Sequence, residues 1–358
     1  MKNITIFCLV ILIVQGCTTA QVKLGTRGSS TIEVNDEALK ATGTLGTVDM
    51  ILAGDVMLGR RLEPLIEKSG VNYPFTGIAD SIKKYPIIFC NLEAPFIYEN
   101  NINTLKKNGN KTIYLYAEES IAKGFKVAGF NVLSLANNHA LDYGQDGVIQ
   151  TMEILDRQGI KYGGIKIGDL SLPNEPIIID YNGVKVGFLC YSRVSGKNSA
   201  SSFTKYGTIP GTYKVIKRDV KNARPKVDIL IVYMHWGIEG REVQKRQRTL
   251  GHGIINLGVD MVIGSHTHIF QDIEKYNGHY IFYGLGNFIF DMRDDQSKSS
   301  AFVKVKVENK KIKEVKIEPV YLQDFRPEIM TDKAEIEKFL DTIKLNNVKL
   351  EEIYPLIK

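Results

Sequence analysis

Short, almost wholly apolar runs recur along this chain, and each ends at a residue able to hold a metal ion or a proton. Val48-Asp49-Met50-Ile51-Leu52-Ala53 ends at Gly54-Asp55, and Ile87-Ile88-Phe89-Cys90 ends at Asn91-Leu92-Glu93. Phe130 to Leu135 ends at Ala136-Asn137-Asn138-His139, and Val227 to Tyr233 at Met234-His235-Trp236-Gly237. Val259-Asp260-Met261-Val262-Ile263 ends at Gly264-Ser265-His266-Thr267-His268. Runs this short and this apolar read as buried strands. Helical patterns fall between them: after Asp55 through Ile66, Glu118 to Ala128, Gly147 to Gln158 closed by Gly159, and Val243 to Leu257. Strand–helix alternation predicts an α/β layered fold. Open α/β sheets bind ligands at the carboxyl ends of their strands.

The rest of the pattern is compatible with one large domain. At 358 residues with 44% hydrophobic content, the chain can bury a full core. Asn182-Gly183, Asn277-Gly278 and Asn309-Lys310 read as hairpin turns. Residues 98–112 read as a long polar loop, and residues 195–225 as a surface excursion without pattern. Asp332 to Lys344 reads as a charged amphipathic helix, with fraying expected beyond it.

The N-terminus is of a different kind. Lys2 and the apolar stretch Ile4 to Val14 form the n- and h-regions of a signal sequence, too short to span a bilayer comfortably. Val14-Gln15-Gly16-Cys17 resembles a lipobox, with Cys17 as the acylated residue; an ordinary signal peptide or an uncleaved anchor is the other reading. Residues 18–46, rich in Gly, Ser and Thr, read as a flexible tether with a reach of about 30 Å. The expected organisation is a signal peptide at 1–16, a tether at 17–46, a domain at 47–325 and a helical extension at 326–358. The formal charge of +6, or +5 once Lys2 is removed, is too diffuse to argue for nucleic acid. Cys90 and Cys190 lie inside apolar runs and read as buried free thiols.

Two imidazoles one residue apart, just past a strand end, can converge on one ion. The other strand ends add Asp55, Glu93, Asn138 and His235. Mixed nitrogen and oxygen ligands suit Mn, Zn or Fe rather than Ca. A bridging carboxylate with three histidines can hold a pair of ions that activate water and clamp the oxygens of a displaced group. Taken singly, each residue has a plain structural role: Asp55 as a helix cap, Glu93 as an exposed turn residue, Asn138 as a turn former. His252 reads as structural and His279 as exposed. Arg60 reads either as a contact to an anionic substrate or as part of a solvated helix face.

Together these motifs resemble the CapA-like family of bacterial poly-γ-glutamate capsule synthesis proteins, related to calcineurin-like metallophosphoesterases. The segments that carry the resemblance are Gly54-Asp55-Val56-Met57, Asn91-Leu92-Glu93, Ala136-Asn137-Asn138-His139 with Asp142-Tyr143-Gly144, His235-Trp236-Gly237, Gly264 to His268, and Leu285-Gly286-Asn287-Phe288. The resemblance implies a four-layer αββα sandwich. It implies Asp55 and His268 at a first metal, Asn138, His235 and His266 at a second, and Glu93 or Asn91 between them. It implies His139 as the acid for a leaving group. Met57 stands where that superfamily usually has a histidine, which predicts one tightly held ion and a second, weaker one. Arg60 and Asn91 are the candidate substrate contacts. The implied role is a lipid-anchored, extracytoplasmic component of poly-γ-glutamate synthesis or export, associated with the anionic polymer or its synthesis complex. A metal-dependent phosphoesterase or amide hydrolase, and a polymer-binding module with a vestigial site, are the alternatives.

Overall fold

A computed structural model describes residues 45–166, 168, 171–194 and 206–355. Cys17, the signal peptide at 1–16 and the tether up to residue 44 lie outside the described residues.

Two β-sheets dominate. The first has the order Arg326–Ile329, Lys311–Gln323, Ser299–Glu308, Thr47–Val56, Ile87–Leu92, Val132–Ser134, Lys161–Gly163, with Asn287–Ile289 pairing beside the end of Thr47–Val56. The second has the order Leu345–Asn346, Ile273–Tyr276, His279–Phe282, Met261–Ser265, Ile229–His235, Val184–Ser192, Ile177–Tyr181. In each, the apolar runs are central parallel strands, and the hairpins at Asn182-Gly183, Asn277-Gly278 and Asn309-Lys310 each join an antiparallel pair. Asn182, Asn277 and Asn309 all adopt positive φ, as tight hairpin turns require.

Side-chain alternation along the strands sorts the core into layers. Met50, Leu52 and Phe89 of the first sheet meet Phe188, Ile231 and Ile263 of the second in one continuous cluster. Phe89 and Phe188 stack there with ring centroids 5.1 Å apart. The opposite faces are covered by helices. Ile51, Ala53 and Ile88 pack against Ile66, Phe125, Ile154 and Leu155, which belong to the helices Glu63–Ser69, Ala122–Ala128 and Gly144–Gln158. Leu230, Val232 and Val262 pack against Ile216, Val220, Leu250 and Ile254 of the helices Tyr213–Ala223 and Lys245–Ile255. The result is the four-layer αββα sandwich. Cys90 and Cys190 are buried free thiols.

Three expectations are corrected. The stretch read as an unpatterned excursion contains the helix Tyr213–Ala223, capped by the Thr212 side chain on the Val215 amide. Its charged residues conceal the buried stripe of Ile216, Val220 and Ala223. The boundary expected at residue 325 falls inside a β-hairpin, because Arg326–Ile329 pairs with Val320–Gln323. Beyond it, Leu345–Asn346 joins the second sheet and Ile353 is fully buried, so the tail as far as residue 355 is held by the core instead of fraying.

Candidate metal centre

Parallel register brings the strand ends together. Asp55 lies opposite Asn91 and Asn287, while His235 lies opposite Ser192 and Ser265. The pairing shifts register between Leu52 and Asp55, and irregularities of this kind re-aim a side chain at the end of a strand. Gly54 makes the approach possible: a Cβ there would sit 2.0 Å from the Gly286 carbonyl oxygen. The two sheets are joined at this edge, because the His266 amide donates to Asp55 Oδ2 at 3.0 Å.

His266 and His268 hold left-handed backbone, with φ of 89° and 58°. For residues other than glycine such a conformation costs about 1–3 kcal/mol and concentrates at functional sites. Here it turns both rings inward from a single tripeptide. Gly264 leads into it, where a Cβ would lie 2.2 Å from the Tyr283 carbonyl oxygen.

Two sets of ligand atoms result, each converging within 4.8 Å: Glu93, His235 and His266, and Asp55, Glu93 and His268. Glu93 belongs to both groups. Asn138 joins the first set, its Oδ1 lying 2.8 Å from His235 Nε2. The backs of the rings are held by protein groups. His268 Nδ1 donates to Asn287 Oδ1 at 2.9 Å, which directs Nε2 toward Glu93, 3.9 Å from its Oε1. His235 Nδ1 contacts the Tyr233 hydroxyl at 3.1 Å and Ser265 Oγ at 3.2 Å. Partners of this kind orient ligand rings.

The electrostatics fit a cation. Glu93 is fully buried, and neither of its oxygens receives a hydrogen bond. Burial pushes its carboxyl well above the ordinary range, and the neighbouring Asp55 charge adds to this. Burial likewise raises Asp55, although the His268 charge and hydrogen bonds from Ser265, His266 and Asn91 act against it. Burial holds His235 well below its ordinary value and His266 at about 3, so both rings are neutral donors at pH 7. An unsatisfied buried carboxylate beside neutral imidazoles is costly by itself and is relieved by a divalent ion.

His139 stands at the rim. Its amide donates to Asn137 Oδ1 at 3.0 Å, and its Nδ1 donates to Asp142 Oδ2 at 2.7 Å, which leaves Nε2 as the ring nitrogen for a reactant. Asp142 is itself fixed by Lys111 Nζ at 2.5 Å and by the Leu115 amide at 2.7 Å. Lys111 also reaches the Asn138 carbonyl at 2.6 Å, so the long polar loop has a structural task at the site.

The candidate substrate contacts separate. Asn91 is fully buried, donating to Asp55 Oδ1 at 2.8 Å and accepting from Asn137, so it orients a ligand from behind. Arg60 is partly exposed with its Nε 3.1 Å from Asp291. His252 is tied to Glu274 at 2.9 Å and stacks on Tyr276, a structural arrangement. Asn287, Asp142, Ser265, Tyr233 and Lys111 were not singled out from the sequence. Asn287 and Asp142 lie in recognisable motifs, whereas no local signal marks Lys111.

Comparison with known proteins supplies the context. Residues 49–292 match the family described as bacterial capsule synthesis protein PGA_cap. The chain is 31% identical over 278 residues to the PGA biosynthesis protein CapA of Bacillus subtilis (strain 168), covering 76% of this chain and 71% of that protein. It is 29% identical over 287 residues to the capsule biosynthesis protein CapA of Bacillus anthracis, covering 79% and 69% respectively. Among solved structures, a 5'-nucleotidase precursor from Thermus thermophilus aligns with TM-score 0.46 and 12% identity over 82% of this chain and 57% of that one.

Proposed function

The chain belongs to the bacterial capsule synthesis protein family PGA_cap, and from that premise we propose that it serves poly-γ-glutamate capsule synthesis through a divalent-cation hydrolytic centre. The observation that carries the reading is Glu93, a buried carboxylate without a donor that is shared by two ligand sets, with the His139–Asp142 pair beside it. A cation bound there supplies Lewis acidity and lowers the pKa of water. The donor set of imidazole, carboxylate and amide oxygen suits Mn, Zn or Fe. The set of Glu93, Asn138, His235 and His266 holds one ion tightly, and the smaller set of Asp55, Glu93 and His268 holds a second more weakly.

The protein's own groups complete the chemistry. His139 Nε2 donates a proton to the departing atom of an amide or phosphoester. Asp142 accepts from Nδ1–H and so stabilises the imidazolium that carries the second proton on Nε2, and Lys111 prevents Asp142 from turning away. Acylated Cys17 would hold the domain on the extracytoplasmic face of the membrane. Among the described residues no helix is long and apolar enough to cross a bilayer.

The test is metal content and hydrolysis in parallel, with oligo-γ-glutamate and an aryl phosphate as substrates. Glu93→Gln is expected to lose metal and activity together. His139→Ala is expected to keep its metal and lose about 10²–10⁴-fold in turnover. A His139→Ala protein that sheds its metal would place this ring among the ligands.

A further inference from the structure

Beside the centre lies a second feature that the hydrolytic reading does not use. A cleft of about 530 Å³ is lined by Arg193, Trp236, Gly237, Ile238 and the start of the helix Lys245–Ile255, including Lys245 and Arg246. Its walls are the carboxyl ends of the strands Val184–Ser192 and Ile229–His235, so it opens beside a metal ligand. The contact is direct. The Arg193 amide donates to the His235 carbonyl at 2.8 Å, and the Gly240 amide donates to the Thr267 carbonyl, between His266 and His268, at 2.9 Å. Trp236 is fixed below by its indole N–H on the Tyr283 carbonyl at 2.8 Å.

The charge of this cleft is one-sided. Its charged lining residues are Arg193, Lys245 and Arg246, with no acidic residue among them. Nearby cations of the same region are engaged: Arg248 by Asp272 and Glu274, and Lys344 by Glu242. Among the described residues, Arg193, Lys245 and Arg246 have no carboxylate in an ion pair. The first turn of the helix holds no acid either, although helix starts favour acids, so Lys245 and Arg246 add to the positive end of its dipole. Three uncompensated cations around a cleft of this size are an arrangement for an anion longer than a single small group.

We propose that this cleft binds the anionic chain of the substrate, seating successive carboxylates on Arg193, Lys245 and Arg246 while the adjoining bond lies at the cation centre. The proposal rests on the hydrolytic reading for the position of the reacting bond, but the binding itself does not. It makes the three cations specificity-determining residues, and it places the polymer on the side of the centre held by His235.

The experiment is fluorescence anisotropy of labelled oligo-γ-glutamate on the full chain in detergent, with metal content read on the same samples. Lys245→Gln with Arg246→Gln is expected to weaken binding about tenfold at low salt, with the difference shrinking as salt rises. Arg193→Gln alone should weaken it in the same direction. Lys311→Gln with Lys313→Gln, an equal change of charge at the far end of the first sheet, should leave it unchanged. Equal losses in the cleft and control variants, or no binding by the wild type, would overturn the proposal. Polyphosphate of matched charge binding as tightly, with the same loss in the cleft variants, would overturn the carboxylate assignment. A wild type that binds polymer through these residues yet holds no metal would leave the cleft standing and refute the hydrolytic reading.

Discussion

Glu93 is the residue on which the centre turns, and its protonation sets a test. Because burial raises its folded pKa, the cation-free fold favours the neutral carboxyl. The stability contributed by that proton is complete below the ordinary value near 4.5 and is lost as pH rises through the folded value. In chelator at pH 7.5, Glu93→Gln is therefore expected to melt higher than wild type. With excess Mn²⁺ the order should reverse, since only the wild type gains from the ion. A wild type that melts equally with and without metal would count against the centre. His266 works in the opposite window: its neutral ring stabilises the fold above pH 6.5, and this is lost as pH falls toward 3. The asymmetry between the two ligand sets is also a matter of one residue. Met57 is fully buried with Ala94, Leu115, Phe290 and Leu322, and its sulfur accepts the Gly59 amide at 3.1 Å. It adds no good ligand for a borderline ion. One ion per chain after dialysis, and a second only in excess metal, is the expected stoichiometry; two retained ions would refute the inequality.

At the scale of elements, the C-terminal helix Lys333–Asp341 is part of the scaffold. Phe339 packs on Phe270 with ring centroids 5.5 Å apart, and Phe270 lies two residues past the candidate ligand His268. Phe339→Ala should cost about 3–5 kcal/mol by the usual scale for buried aromatics. It should also loosen metal retention, because the backbone after His268 loses its outer support. Urea unfolding and dialysed metal content would check both; an unchanged midpoint would make the helix an appendage. The helix Tyr213–Ala223 escaped the sequence reading for a related reason. Lys214, Lys217, Arg218 and Lys221 surround its apolar stripe, and local polarity masked a face whose partner is distant in sequence.

For the whole molecule, the arrangement places the centre at one edge of both sheets and the charged hairpin at Asn309-Lys310 at the other. A lipid on Cys17 would bring such a domain to the membrane surface on a tether, where a long polymer is accessible. Cys17→Ala is expected to leave the precursor unprocessed or to release it from the membrane, as read by apparent mass and by partitioning. Unchanged mass and partitioning would discard the anchor.

The α/β alternation, the strand ends at Asp55, Glu93, His235 and His266, and the family were all legible in the order of residues, because buried strands and inflexible ligand chemistry leave local patterns. Glu93 and Asn91 remained rivals at that level, two residues apart on one strand end. The fold separates their surroundings: Asn91 turns its amide to Asp55 and Asn137, while Glu93 lies in both clusters of candidate ligand atoms. The roles of Lys111 and of the cationic cleft likewise depend on chain segments far apart in sequence. Such contacts are set by packing of whole layers, and no periodicity within a single segment records them.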